Sequence, residues 1–166
     1  WRDAAAALRR AILDSAWNPK LGSFVASFGG EDVDASLLLL HEIGFVAASD
    51  PRFLGTVAAI EERLRCGDYL YRYRTADDFG VPETAFVVCT FWYIDALTAI
   101  GRREEARAIF ERTLARRNAT GLLSEDIAPA TGELWGNFPQ TYSMVGLIVS
   151  AMRLSKTWEE AFWRDS

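Results

Sequence analysis

The sequence holds little of what would bind a metal or staple a small fold. It has 2 Cys and 1 His in 166 residues. Cys66 and Cys89 form no C-x-x-C pair, and His41 alone cannot complete a zinc set. Both thiols read as buried, reduced and structural, with a Cys–His nucleophilic pair the open alternative. Gly is 12 and Pro 5, too few for a collagen-like or low-complexity chain. Long apolar runs are absent: the leucines at 37–40 stop at His41, and Thr90 interrupts 85–92. Neither approaches the roughly 18 residues of a membrane span. Positive charge is not in excess either. The formal net charge is −5, which makes nucleic acid a poor partner. No phosphate loop, dinucleotide fingerprint or metal cluster occurs, so no cofactor and no metal is implied. No targeting segment is visible, and with two thiols and no signal the expected location is cytoplasmic. The chain starts at Trp1 in a helical pattern, which suggests a processed N-terminus or the C-terminal piece of something longer.

What is present is apolar and helical. Half the residues are hydrophobic, with Trp 6, Phe 10 and Tyr 5, which excludes intrinsic disorder. Ala5, Leu8, Ile12 and Leu13 predict a helix over 4–13, ended by Asn18-Pro19. Residues 21–28 read as a short extended or loop segment. Asp34 caps an expected helix over 35–43, closed by Gly44. Asp50-Pro51 opens another to Arg65, with Phe53, Leu54, Val57, Ile60 and Leu64 on its apolar face. Residues 69–80 are a loop. Pro82-Glu83 is expected to begin a helix to Ile100, hydrophobic nearly all round and therefore buried on most sides. An amphipathic helix over 103–117, a long loop over 118–137 and a helix over 141–154 complete the pattern. Apolar inner helices alternating with half-exposed outer ones predict an all-α fold. It is an α/α toroid built of helical hairpins that bury their faces by stacking.

Three loop regions concentrate charged and aromatic residues: 69–74, 81–86, and 121–126 with 135–140. Arginine, amides and aromatic rings suit sugar hydroxyls and ring faces. A carboxylate among them can serve as general acid or base.

Six strings occur in order: D-V-D-A-S-L-L-L-L (32–40), D-P-R-F-L-G-T-V-A-A-I-E (50–61), Y-R-Y-R (71–74), E-T-A-F-V-V-C-T-F-W (83–92), G-L-L-S-E-D (121–126) and G-N-F-P-Q-T-Y-S (136–143). Their order and spacing resemble the C-terminal half of bacterial glucoamylase-like enzymes of glycoside hydrolase family 15, a family that includes glucodextranases and some trehalases. The resemblance implies an (α/α)6 barrel, of which residues 1–166 would be the C-terminal part of a single catalytic domain. It implies hydrolysis of an α-linked oligosaccharide or disaccharide with inversion, releasing glucose. Glu125 would be the general base. The general acid would lie in a W-E motif of a preceding half of the domain. Trp158-Glu159-Glu160 is in the wrong place for that motif and reads as a terminal helix. Arg72 matches a sugar-contacting arginine. Glu83 and Trp92 match residues lining the cleft, and Asn137 and Gln140 match the segment supporting the base loop. The chain departs from the pattern at Val81, Pro82 and Thr84, where relatives carry glycines, and at Met144, where they carry histidine.

Each residue has a plainer alternative. Glu125 would be a turn-capping carboxylate, Arg72 a surface ion-pair partner, and Glu83 an anion at a helix start. Trp92 would be core, His41 a packed histidine, and Asn137 and Gln140 loop-backbone partners. For the chain as a whole, the alternative is a noncatalytic helical-hairpin domain that binds carbohydrate or protein.

Overall fold

A computed structural model describes residues 1–78 and 80–155. Trp158, Glu159 and Glu160, expected in a terminal helix, lie outside the described residues. About half of the structure is helical: α1 (Arg2–Ser15), α2 (Pro51–Leu64), α3 (Val87–Ala99), α4 (Arg103–Leu114), α5 (Thr141–Ser155) and a 3-10 helix (Ala35–Leu40). The chain is mainly helical as expected, though not purely so: among the described residues, seven two-residue strands form three small antiparallel sheets. β1 (Trp17–Asn18) pairs with β2 (Ser23–Phe24), and β3 (Arg65–Cys66) with β4 (Tyr69–Leu70). β5 (Ala85–Phe86), β6 (Asp126–Ile127) and β7 (Leu134–Trp135) form the third sheet.

α3 is the centre of the core. Every residue from Val87 to Thr98 except Trp92 is buried. It packs against α4, α5 and the 3-10 helix, as an all-round apolar helix must. Gly146 on α5 permits a close approach: a Cβ there would stand 2.8 Å from Cδ2 and 2.9 Å from Cβ of the buried Phe91.

α2 forms as its caps dictate. The Asp50 carboxylate accepts from the Arg52 amide at 2.9 Å, and Pro51 occupies the first turn. Phe53, Val57, Ile60 and Leu64 are buried, whereas Leu54, expected on the same face, is 42% exposed.

Two expected helices are altered. In place of the expected α-helix over 35–43, Ala35–Leu40 form a 3-10 helix of six residues. Asp34 caps it, accepting from the Ser36 amide at 2.8 Å, and the Ala35 amide is drawn to the Arg72 carbonyl at 2.9 Å. The expected helix start at Pro82-Glu83 is also wrong: α3 begins at Val87. Ala85 and Phe86 pair instead with Ile127 and Asp126, and the Val87 amide bonds the Glu125 carbonyl at 2.9 Å. Tertiary strand pairing takes the backbone groups that the first helical turn would have needed.

Candidate functional site

That pairing places Glu125. Its backbone meets the start of α3 through Val87, while the Gln140 amide donates to the Leu123 carbonyl at 3.1 Å and the Ser143 hydroxyl to the Ser124 carbonyl at 2.7 Å. The loop is thus stitched to the first turns of both α3 and α5. Helix N-termini carry positive partial charge, so this junction suits a carboxylate.

Three donors hold the Glu125 side chain. Its Oε2 accepts from Nδ2 of Asn137 at 2.8 Å and from the Asn137 backbone amide at 3.2 Å. Its Oε1 accepts from Nε2 of Gln140 at 3.3 Å. Asn137 and Gln140 therefore bond the carboxylate itself, beyond any role in satisfying loop backbone. Gly136 allows the approach. Its φ is +77°, and a Cβ there would lie 3.0 Å from Oε2 of Glu125.

Glu125 opens onto two cavities that share Glu125, Arg72 and Phe86. The larger, about 760 Å³, runs along α3 and α5 past Val88, Trp92, Tyr142 and Val145. The smaller, about 250 Å³, is more polar and adds Tyr73, Thr84 and Asp126. Arg72 stands in both, and its Nε lies 3.4 Å from Oδ2 of Asp34. The Arg72 side chain is half exposed, so that pair contributes little to stability and leaves the guanidinium available to a ligand. Trp92 is partly buried against the core and also lines the larger cavity. Glu83 is the outlier. It is exposed, lies on the loop before β5, and is not among the residues lining either cavity. Because α3 starts four residues later, it is not an anion at a helix start either.

Other groups fall into structural roles. His41 is buried against Phe53, with ring centroids 4.8 Å apart, and Nδ1 is 2.8 Å from the Leu38 carbonyl. Burial lowers its pKa, favouring the neutral ring. Burial pushes the Cys89 thiol up, so it is no nucleophile near neutral pH. Two residues lining the larger cavity, Asp95 and Glu42, are bridged by Arg153 at 3.1 Å and 2.5 Å, and Ser150 donates to Asp95 at 2.8 Å.

Sequence reasoning gave Asp126, Thr84 and Phe86 no role in the site. The Thr84 hydroxyl donates to Oδ2 of Asp126 at 3.0 Å, across the β5–β6 pairing. Burial raises the Asp126 carboxyl, the Thr84 bond opposes this, and the charge of Glu125 adds to the rise. The available signal was adjacency: a second carboxylate directly after Glu125. No helix among the described residues is long and apolar enough to cross a membrane. Among those residues, no group of three or more His, Cys, Asp and Glu side chains is arranged to hold a metal.

Comparison with known proteins gives the family of the chain. Residues 1–152 match the family described as Glycosyl hydrolases family 15, and the chain belongs to that family. Among individual relatives, it is 40% identical to a trehalase of Thermoplasma acidophilum over 163 residues, covering 98% of this chain and 27% of that enzyme. It is 35% identical to a trehalase of Mycobacterium tuberculosis, covering 97% of this chain and 24% of the relative. The chain therefore spans about a quarter of these curated relatives. In fold, it superposes on a glycosidase solved as a glutamate-to-alanine variant in complex with glucose. The TM-score is 0.78 at 21% identity, covering 92% of this chain and 43% of that one.

Proposed function

We propose that residues 1–166 are the C-terminal part of a single catalytic domain, an α/α toroid of the (α/α)6 type, that hydrolyses α-linked glucosides and releases glucose. The substrate is a disaccharide or oligosaccharide. Glu125 is the general base, and the general acid comes from a preceding part of the same domain. The observation that carries this reading is the Glu125 carboxylate, gripped by Asn137 and Gln140 at the mouth of two cavities that Arg72 also lines. Its donors fix the lone pairs toward a water, and the inverting mechanism needs that water on the ring face opposite the leaving oxygen. Arg72 binds sugar hydroxyls, and Trp92 contributes apolar surface. Asn137 and Gln140 act through Glu125. Glu83 lies outside the lining of both cavities. The trehalase relatives support a glucose disaccharide, and the superposition on less than half of a solved glycosidase supports a partial barrel. The free thiols Cys66 and Cys89 support a cytoplasmic location, and the net charge of −5 makes nucleic acid a poor partner.

The test uses the full-length protein that contains this chain. Glucose release is measured from trehalose, maltose and isomaltose, and the first-formed anomer is read by NMR. Glu125→Gln is expected to reduce kcat by roughly 10²–10⁴-fold, the usual contribution of a general base. The glucose released from the non-reducing end of maltose is expected first as the β anomer. Wild-type activity in Glu125→Gln would remove Glu125 as base, and an α anomer would remove inversion. Sugar binding without turnover in the unsubstituted protein would favour the noncatalytic alternative.

A further inference from the structure

The smaller cavity is on the scale of a monosaccharide. At about 250 Å³ it falls just below the roughly 300–1,000 Å³ of ordinary small-molecule sites, a size that suits one pyranose ring. Its lining is that of a monosaccharide site: Arg72 supplies donors, Glu125 and Asp126 supply acceptors, and Tyr73 and Phe86 supply rings. The ring it takes follows from the chemistry, provided Glu125 is the base as proposed above. In inversion, the base and its water stand on the face of the reacting sugar opposite the departing group. Glu125 lines both cavities, so its contact alone does not choose between them; the smaller, on the scale of one ring, is read as holding the glucose whose anomeric carbon is attacked.

Asp126 is the residue in this chamber without an assigned task. It belongs to β6, where Phe86 and Trp135 flank it in register, so its backbone is fixed from both sides. Thr84 donates one hydrogen bond to Oδ2. A carboxylate has about four lone-pair sites, so one such bond orients the group without saturating it. We propose that Asp126, oriented by Thr84, is a specificity-determining residue that accepts a hydroxyl of the reacting glucose in the smaller cavity. A purely structural Asp126 would do no more than tie the loop before β5 to β6.

Binding separates these roles without needing turnover. In the full-length protein carrying Glu125→Gln, glucose affinity is measured by calorimetry, with and without Asp126→Asn. The asparagine keeps the shape and can still accept from Thr84, but it loses the charged acceptor. The expected result is glucose binding about tenfold weaker, the loss typical of a hydrogen bond to a charged group. With Glu125 intact, Asp126→Asn should lower kcat/KM about equally for maltose and for α-glucosyl fluoride, which share the reacting glucose. Unchanged glucose affinity would overturn the proposal, leaving Asp126 a structural link. A loss confined to maltose would place the contact on the departing sugar and overturn it as well. Failure of the base assignment shows separately, as activity that survives Glu125→Gln.

Discussion

Asn137 offers a quantitative probe of how the Glu125 carboxylate is held. Its amide provides the shortest of the three donors, 2.8 Å against 3.2 Å from its own backbone and 3.3 Å from Gln140. Asn137→Ala deletes that donor and keeps the backbone one. A hydrogen bond to a charged group contributes about 1.5–3 kcal/mol. Asn137 is exposed, so water replaces part of the loss and the lower end applies. About 1.5 kcal/mol corresponds to roughly tenfold in rate. Because the amide orients the carboxylate and does not itself line the cavities, the loss should fall on kcat, with KM nearly unchanged. Gln140→Ala removes the longer bond. The Gln140 backbone amide still ties the loop to Leu123, so about threefold is expected there, at roughly 0.7 kcal/mol. The assay is initial-rate glucose release by the full-length protein on trehalose and maltose. An Asn137→Ala effect below twofold, or a Gln140→Ala loss larger than that of Asn137→Ala, would refute the reasoning.

The buried charges make a pH prediction. Burial raises the Asp95 carboxyl to about 7, while Arg153 and Ser150 act to lower it and Glu42 to raise it. The folded protein then keeps a proton that the unfolded chain sheds near pH 4, so stability declines as pH rises from about 4 to about 7 and levels off above. Asp95→Asn should flatten that slope in Tm against pH, and a parallel slope in the variant would refute it. Packing makes another prediction. Gly146→Ala gains about 1 kcal/mol of helix propensity but forces its Cβ onto Phe91, at an overpacking cost of about 1–3 kcal/mol. One of the atoms it meets is the Phe91 Cβ, bonded directly to the α3 backbone, so overpacking should win and the denaturant midpoint should fall. A midpoint at or above that of the unsubstituted protein would show that α3 and α5 can move apart without cost.

Local signals located the helices well wherever local interactions decide. The Asp50 cap and Pro51 gave the start of α2, and an apolar surface on every side gave α3 as the buried helix. The errors lie where a distant partner competes for the same backbone. Ala85 and Phe86 suit the first turn of a helix by composition, yet they pair with β6, which follows α4 in the chain. Periodicity cannot register that competition, because β6 and β7 are two residues long, too short for any alternation to show. Leu54 was misplaced for a related reason: an apolar face assigned by spacing does not say which of its edges stays in water.

Within the site, legibility followed stereochemical demand. The string G-N-F-P-Q can be read because its members have few substitutes. Gly136 must adopt a left-handed φ and carry no Cβ against Glu125, Asn137 must reach Oε2, and Gln140 must reach Oε1 while its amide closes on Leu123. Glu83 looked equally motif-bound, but a loop ahead of β5 takes it away from both cavities. Asp126 and Thr84 show the converse. Each is an ordinary polar residue on its own, and the pair acquires meaning only when β5 and β6 come together. Their role follows from register, which two-residue strands specify only weakly by themselves; here the Val87–Glu125 backbone bond at the start of α3 continues the β5–β6 pairing. A change that weakened α3 packing should therefore reach Asp126 and Glu125 together, since the Val87 amide bonds the Glu125 carbonyl where α3 begins.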